Sequence, residues 1–351
     1  MIKTVHSPTL DLRRAKWCHS TRRITLDQAC GIDPHPAKIK SGDLLLVEVT
    51  KISQHRRVQL RDGRYSKLFI GDLIVLAAGD RFATDQFIGH VGVRADRTLD
   101  LLAGGGVAGL EQARHGAIKP ATRLSLHGRL LGADGASLNL MDGKLVPGMA
   151  ERPDTVLTVV GTGMNAGKTD AVAGLVNGLT RLGLRVGAIK ATGTAAFGDT
   201  HLYDAAGAET VLDFTDTGMA STYRQPIERI EEAITRLLAE TAQEGCDVAI
   251  LELADGITQV ETADLLARSA MVRMTDGWLL AATDALTAEA ALMRLAAQGV
   301  VPLALTGLLT RSPVTDDLKF GKIPVLDRDE LADPATGAAL LQILRPVQAA
   351  E

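Results

Sequence analysis

A mostly parallel α/β sheet flanked by helices, preceded by a small β-rich domain of barrel or sandwich type, is the fold this 351-residue sequence predicts. Three observations lead there. Between Ser41 and Asp142, short β-like runs are separated by turn residues. After Pro147-Gly148, apolar strands alternate with stripes of helical period. A glycine-rich segment, Gly161 to Thr169, then joins one such strand to one such helix. The change of period places a domain boundary at 147/148, giving a β-rich part of residues 1–147 and an α/β part of residues 148–351.

In the first part the strand candidates are Leu44–Thr50, Arg57–Leu60, Leu68–Ile70, Leu73–Ala77 and Leu124–Leu126. Asp62-Gly63 and Asp142-Gly143 are hairpin-type dipeptides that accept positive φ, and Gly42-Asp43 and Gly71-Asp72 open two of the strongest runs. The first forty residues, with Pro8, Pro34 and Pro36, read as irregular. In the second part the strand candidates are Thr155–Val160, Val186–Ile189, Val248–Leu253, Trp278–Ala282, Pro302–Leu305 and Ile323–Leu326. Between them Val172, Leu175, Val176, Leu179 and Leu182 form a helical stripe ended by Gly183, and Ile227–Ala242 forms a second. In such a sheet, ligands bind at the carboxyl ends of the strands.

Composition narrows the function classes. A hydrophobic fraction of 46% supports packed cores, and a net charge of -4 gives no general attraction to nucleic acid or to an anionic membrane. No run approaches the ~20 apolar residues of a membrane span. Cys18, Cys30 and Cys246 lack CxxC spacing and the start of the chain lacks a signal-peptide pattern, so the expected location is cytoplasmic. The histidines show no metal-ligand spacing.

Gly161-Thr162-Gly163-Met164-Asn165-Ala166-Gly167-Lys168-Thr169 follows an apolar strand and opens an amphipathic helix. That is the context of a phosphate-binding loop. Its glycines let successive N–H groups and the helix N-terminus face an anion, Lys168 adds a point charge for the β/γ-phosphates, and Thr169 offers a hydroxyl to Mg²⁺. Asp170 completes the expected nucleotide-binding set. Asp247–Glu252 reads as an apolar strand ending in an acid, a costly place for a carboxylate unless it serves a hard cation.

The pattern Gly-Thr, four residues, Gly-Lys-Thr resembles the loop of dethiobiotin synthetase and its relatives in the SIMIBI division of P-loop NTPases. Val186-Gly-Ala-Ile-Lys190 resembles the family's second strand, whose terminal lysine reaches toward the phosphates, and Thr194 matches the hydroxyl residue four positions later. Asp204-Ala-Ala-Gly-Ala-Glu209 resembles a helix start that carries a metal-facing carboxylate, and similar segments occur in the molybdopterin-guanine dinucleotide biosynthesis adaptor proteins. Asp204 is the preferred carboxylate and Asp199 the alternate; either also suits a helix cap. Glu252 resembles the glutamate that completes the family's metal site. Leu253-Ala-Asp255-Gly256 departs from the Gly-Ala-Gly-Gly that follows it there, and Asp255 reads either as a specific addition or as a turn residue. Leu303-Ala-Leu-Thr306-Gly307 lacks the asparagine that relatives place against the base, so ATP rests on the resemblance and GTP stays open. Thr306, Thr310 and Arg311 are candidates for the base pocket.

The resemblance covers about residues 155 to 330 and implies Lys168, Lys190 and Thr194 as catalytic, Thr169, Asp204 and Glu252 as metal-holding, and ATP with Mg²⁺ as the nucleotide. The leading expectation is an ATP-dependent ligase or kinase-like enzyme that passes the γ-phosphate to a carboxylate-type oxygen of a small metabolite bearing a carboxylate or amine. The alternative is a nucleotide-dependent regulatory or cofactor-insertion adaptor with slow hydrolysis. By the same resemblance a homodimer is expected. The glycine cluster Ala103–Gly109 fits either an anion-binding backbone or a tight turn.

Overall fold

In the computed structural model, which describes residues 12–146, 150–312 and 320–344, the chain divides into two units. One comprises residues up to Phe82 with Gln86–Lys144 and Gly218–Ala220; the other comprises Ala83–Asp85, Leu145–Thr217 and the chain from Ser221 onward. The boundary read at 147/148, and Pro8, lie outside the described residues.

The first unit contains strands β1 (Lys16–Trp17), β2 (Gly31–Asp33), β3 (Leu44–Lys51), β4 (Arg57–Gln59), β5 (Tyr65–Lys67), β6 (Leu73–Ala78), β7 (Arg81–Phe82), β8 (Phe87–His90), β9 (Thr98–Ala103), β10 (Val107–Arg114) and β11 (Thr122–Leu131). Sheet neighbours run β6-β3-β11-β9-β10, and β10 pairs in parallel with β6 again, so five strands close on themselves. This closure makes the unit a barrel rather than a sandwich. Alternate residues point inward, with Leu45, Val47 and Val49 on β3, Ile74, Leu76 and Ala78 on β6, Leu99 and Leu101 on β9, and Leu124 and Leu126 on β11 in one core.

One strand reading and one turn reading differ from the structure. Leu68–Ile70 is no strand: Phe69 and Ile70 are exposed, and the hairpin partner of β4 is β5, across Gly63 at φ 81°. Asp142-Gly143 ends a short 3-10 helix, Leu140–Gly143, capped by Asn139.

The second unit contains β12 (Thr155–Gly161), α1 (Lys168–Arg181), β13 (Val186–Lys190), α2 (Gly198–Ala206), β14 (Thr210–Asp213), α3 (Ile227–Gln243), β15 (Val248–Glu252), α4 (Val260–Ala267), α5 (Ser269–Met274), β16 (Gly277–Ala281), α6 (Ala285–Ala296), β17 (Ala304–Thr306), α7 (Arg328–Leu331) and α8 (Pro334–Leu344). Its sheet has the order β14-β13-β15-β12-β16-β17 with every pair parallel. Each face carries a core. Val172, Leu175, Val176 and Leu179 of α1 pack with Leu331 and Leu340 on one face, and Ile230, Ile234, Leu237 and Leu238 of α3 pack with Leu265, Ala288 and Leu295 on the other. The helical stripe read from Val172 therefore faces the sheet as far as Leu179, whereas Leu182 caps the helix and is exposed, and Gly183 follows at φ 90°.

The edge strand β14 carries no sequence signal strong enough to be read in advance. Ile323–Leu326, read as a strand, contributes a single parallel bridge, Leu305 to Val325, and no strand of the sheet. Among the described residues no helix is long and apolar enough to cross a membrane.

Candidate functional site

The site is built at the carboxyl ends of β13, β15 and β12. Cross-strand register sets Asp213 opposite Lys190, Lys190 opposite Glu252, and Glu252 opposite Val159, so an acid, a base and an acid stand in a row beside the start of the glycine loop. All three charged residues are buried. Buried charges of one sign are costly alone, and alternation of sign lets each carboxylate offset a neighbouring ammonium.

The loop leaves β12 at Gly161 and turns into α1 at Gly167, whose φ of 99° is left-handed and serves as the helix N-cap. A Cβ at Gly167 would stand 2.8 Å from the Cα of Gly307, so the segment after β17 lies directly on the loop and only glycine fits. Leu308 N donates to Ala166 O at 3.0 Å across the same contact. Thr162 N donates to Ala281 O at 2.9 Å, and its hydroxyl accepts from Thr283 N at 3.3 Å. Asn165 is exposed at φ 62°, and its amide donates to Asp85 Oδ2 at 3.0 Å within the same unit. Met164 is half-buried at the loop tip.

Lys168 opens α1 and is 5% exposed. Its Nζ donates to Gly163 O at 2.9 Å and to Asp255 O at 2.7 Å, bridging the glycine loop to the segment after β15. Burial holds its pKa below the usual lysine value, against the opposing pull of Glu252, Asp255 and Asp199. Asp255 has φ 63°, a left-handed conformation in a non-glycine residue. The next residue, Gly256, lies so close to Gly163 that a Cβ would come within 2.8 Å of its Cα. Asp255 therefore lies in a tight turn pressed on the loop, and its backbone carbonyl meets the lysine.

Lys190 is ion-paired with Asp199, the second residue of α2. Burial acts to lower its pKa, but the carboxylates of Asp199 and Glu252 outweigh burial and raise it. Thr169 Oγ1 points at the other oxygen of Asp199 across 3.5 Å. Glu252 accepts a hydrogen bond from the phenol of Tyr203, which is fully buried. Burial raises the pKa of Glu252, Asp199 raises it further, and the two lysines oppose that shift.

The structure sorts the sequence candidates. Gly161, Gly163, Gly167, Lys168, Thr169, Lys190 and Glu252 come together at one end of the sheet. Asp204 does not: it is exposed on α2, and Asp199 is the carboxylate beside Thr169 and Lys190. Helical geometry is the reason, because five residues at 100° each turn Asp204 about 140° away from Asp199, whereas Tyr203, four residues on, returns to the same face. Thr194 pairs through its backbone with Ser221 in an isolated antiparallel bridge, and the hydroxyl that braces this strand end is that of Thr192, which accepts from Ala254 N at 2.8 Å. Asp170, in the first turn of α1, has Arg311 Nη2 at 3.8 Å, and the hydroxyl of Thr310 donates to Gly307 O at 2.8 Å. Thr306 is buried at the end of β17. Tyr203, Thr192 and Asp213 were not singled out in the sequence; the four-residue spacing of Asp199 and Tyr203 was the available signal for the first.

A parallel sheet, a glycine loop opening a helix at a lysine, and an acid on the neighbouring strand decide the architecture. The second unit is a P-loop nucleotide-binding fold.

Among the described residues no group of three or more His, Cys, Asp or Glu is arranged to hold a metal unaided. Mg²⁺ needs no such cage, since it keeps waters and takes one or two carboxylates with phosphate oxygens. The hard oxygen donors Thr169, Asp199 and Glu252 fit that demand.

No protein-family model and no curated protein matches the sequence. Among solved structures, the signal recognition particle receptor FtsY of Elizabethkingia anophelis is 19% identical with a TM-score of 0.36; the alignment takes in 52% of this chain and 64% of that one, so this chain spans less than two thirds of its length. Chloroplast FtsY of Physcomitrella patens is 18% identical, TM-score 0.36, over 59% of this chain and 71% of that one. Cell division protein FtsY of Thermotoga maritima is 17% identical, TM-score 0.36, over 59% and 75%. The fold assignment rests on the chain's own sheet order and loop geometry.

Proposed function

We propose that the second unit binds a nucleoside triphosphate with Mg²⁺ and transfers its γ-phosphate to a carboxylate-type oxygen of a small metabolite, as a SIMIBI-class ligase or kinase-like enzyme would. The observation that carries this reading is the meeting of Lys168 and Lys190 with Asp199 and Glu252 at the loop. Phosphoryl transfer requires positioning and neutralisation of negative charge more than a protein nucleophile, and this inventory suits it.

On this reading Lys168 exchanges two neutral carbonyl acceptors for phosphate oxygens, which make stronger charge-assisted hydrogen bonds. Thr169, Asp199 and Glu252 would hold Mg²⁺, which supplies neutralisation of the β- and γ-oxygens. As Asp199 turns to that task, Lys190 is released to the transferred phosphoryl group. The acceptor oxygen forms the new bond to phosphorus as the bond to the β-phosphate oxygen breaks, leaving the nucleoside diphosphate.

A second reading, a slow nucleotide-dependent adaptor, draws support from the Asp255 carbonyl on Lys168: a loop held by the phosphate-binding lysine is placed to respond to occupancy. ADP and GDP release from Mg-ATP and Mg-GTP, measured against a panel of small carboxylic acids and amines, separates the two. Acceptor-dependent release that falls roughly 100-fold in Lys190→Ala, with nucleotide affinity largely kept, supports transfer. Tight binding with no acceptor-stimulated turnover supports the adaptor, and no binding of either nucleotide rejects both.

A further inference from the structure

Tyr203 lies on the inner face of α2 with none of its surface exposed. A buried phenol must give its proton to an acceptor, since an unpaired hydroxyl in an apolar interior is costly. Here it donates to Glu252 at the end of β15. The phenol thus ties α2 to Glu252, a carboxylate that the phosphate-site reading assigns to the metal. The same helix face carries Asp199, which meets both Thr169 and Lys190.

We propose that Tyr203 is a positioning residue for the divalent ion: its hydroxyl orients the Glu252 carboxylate, and through it sets the Mg²⁺ affinity of the nucleotide complex. The inference rests on the phosphate-site reading and adds a residue that the family resemblance does not include. A carboxylate that accepts the phenol at one oxygen keeps acceptor capacity at the other, so the bond orients Glu252 without saturating it. Burial, then Glu252 and Asp199, raise the phenol's pKa well above the ordinary tyrosine value, so the donor stays neutral and protonated across the working range. Phenylalanine would fill the same space without the hydroxyl, which separates orientation from packing.

The test uses the full chain and the fluorescent analogue mant-ATP, titrated first in EDTA and then with Mg²⁺. In Tyr203→Phe the affinity in EDTA stays within about twofold of the unsubstituted protein, while the Mg²⁺ concentration at half-effect rises about tenfold, the usual size of a lost partner behind a metal ligand. In a Glu252→Gln background the same substitution adds nothing further, because the carboxylate it acts on is gone. A Mg²⁺ midpoint that is unchanged or falls overturns the proposal. So does an equal loss of affinity with and without Mg²⁺, which is the mark of packing alone.

An independent readout does not depend on the folding of that variant. The chain has three tyrosines, Tyr65, Tyr203 and Tyr223. Incorporation of 3-fluorotyrosine, with Tyr65→Phe and Tyr223→Phe to assign two of the fluorine resonances, isolates that of Tyr203. Its shift moves when Mg²⁺ is added to the nucleotide complex; a resonance that stays in place overturns the proposal. Failure of the unsubstituted protein to bind mant-ATP at all would instead reject the phosphate-site reading beneath it.

Discussion

Two glycine-rich turns sit in the two units, and they do opposite things with the same residue type. Gly104–Gly106 joins β9 to β10 in the barrel, where Gly104 O accepts from Gln59 N, Gly105 O from Ser20 N and Gly106 O from Ala77 N, at 2.8, 2.9 and 3.0 Å. Every one of these carbonyls is spent on barrel backbone. Gly106, at φ 97°, leaves no room for a side chain: a Cβ would fall 2.1 Å from that of Cys18. The Gly161–Gly167 turn opens instead into α1, where the first helical N–H groups have no partner inside the helix and face outward. Its lysine bridges two carbonyls that an anion can replace. Glycine density permits close approach in both places, and the element that follows decides whether what approaches is protein or ligand.

Substitution should separate the two turns sharply. Lys168→Ala is expected to weaken nucleotide binding roughly 10- to 100-fold, the worth of a charged hydrogen bond, with little change in unfolding. Gly106→Ala is expected to cost about 2–4 kcal/mol of stability from left-handed strain and overpacking, measured by denaturant unfolding, with nucleotide affinity unchanged in the folded fraction. Loss of nucleotide binding in folded Gly106→Ala would break the comparison.

Within the second unit the same contrast sharpens on α2. Asp199→Asn should raise the Mg²⁺ requirement of nucleotide binding about tenfold, and Asp204→Asn should change it less than about twofold. Equal effects would mean that α2 presents a different face to the loop in the nucleotide complex.

The smallest expected effect is a proton. Burial holds Lys168 below its ordinary 10.5 in the free protein, and phosphate oxygens beside it would raise it in a nucleotide complex. Affinity is therefore full below the free-protein pKa and falls as pH rises from there toward the pKa of the complex, with proton uptake on binding inside that window. Calorimetry of mant-ATP binding in buffers of different ionisation enthalpy, taken over a series of pH values below the ordinary 10.5, should show net proton uptake. Absence of uptake at every pH in the series would place the lysine outside the phosphate contact.

What was legible in the sequence was local. The loop, Lys190 and Glu252 stand beside strands whose apolar runs mark them, and the stripe of Val172, Leu175, Val176 and Leu179 marks the helix between. The barrel was less legible, because β8 to β10 carry glycine, histidine and charged residues where a strand reading looks for uninterrupted apolar alternation. Phe69 and Ile70 misled in the other direction, being apolar, in a turn and exposed.

By itself, then, the sequence determined the period of each element and the chemistry at the strand ends, since both depend on residues within a few positions of one another. Only the tertiary structure decided the rest. The parallel contact of β10 with β6 closed the barrel, the rotation of α2 chose Asp199 and Tyr203 over Asp204, and the fold of the segment after β15 brought the Asp255 carbonyl to Lys168. Each of these is a meeting between residues far apart in the chain, and a repeating local pattern carries no record of which distant surface it will meet or at what rotation.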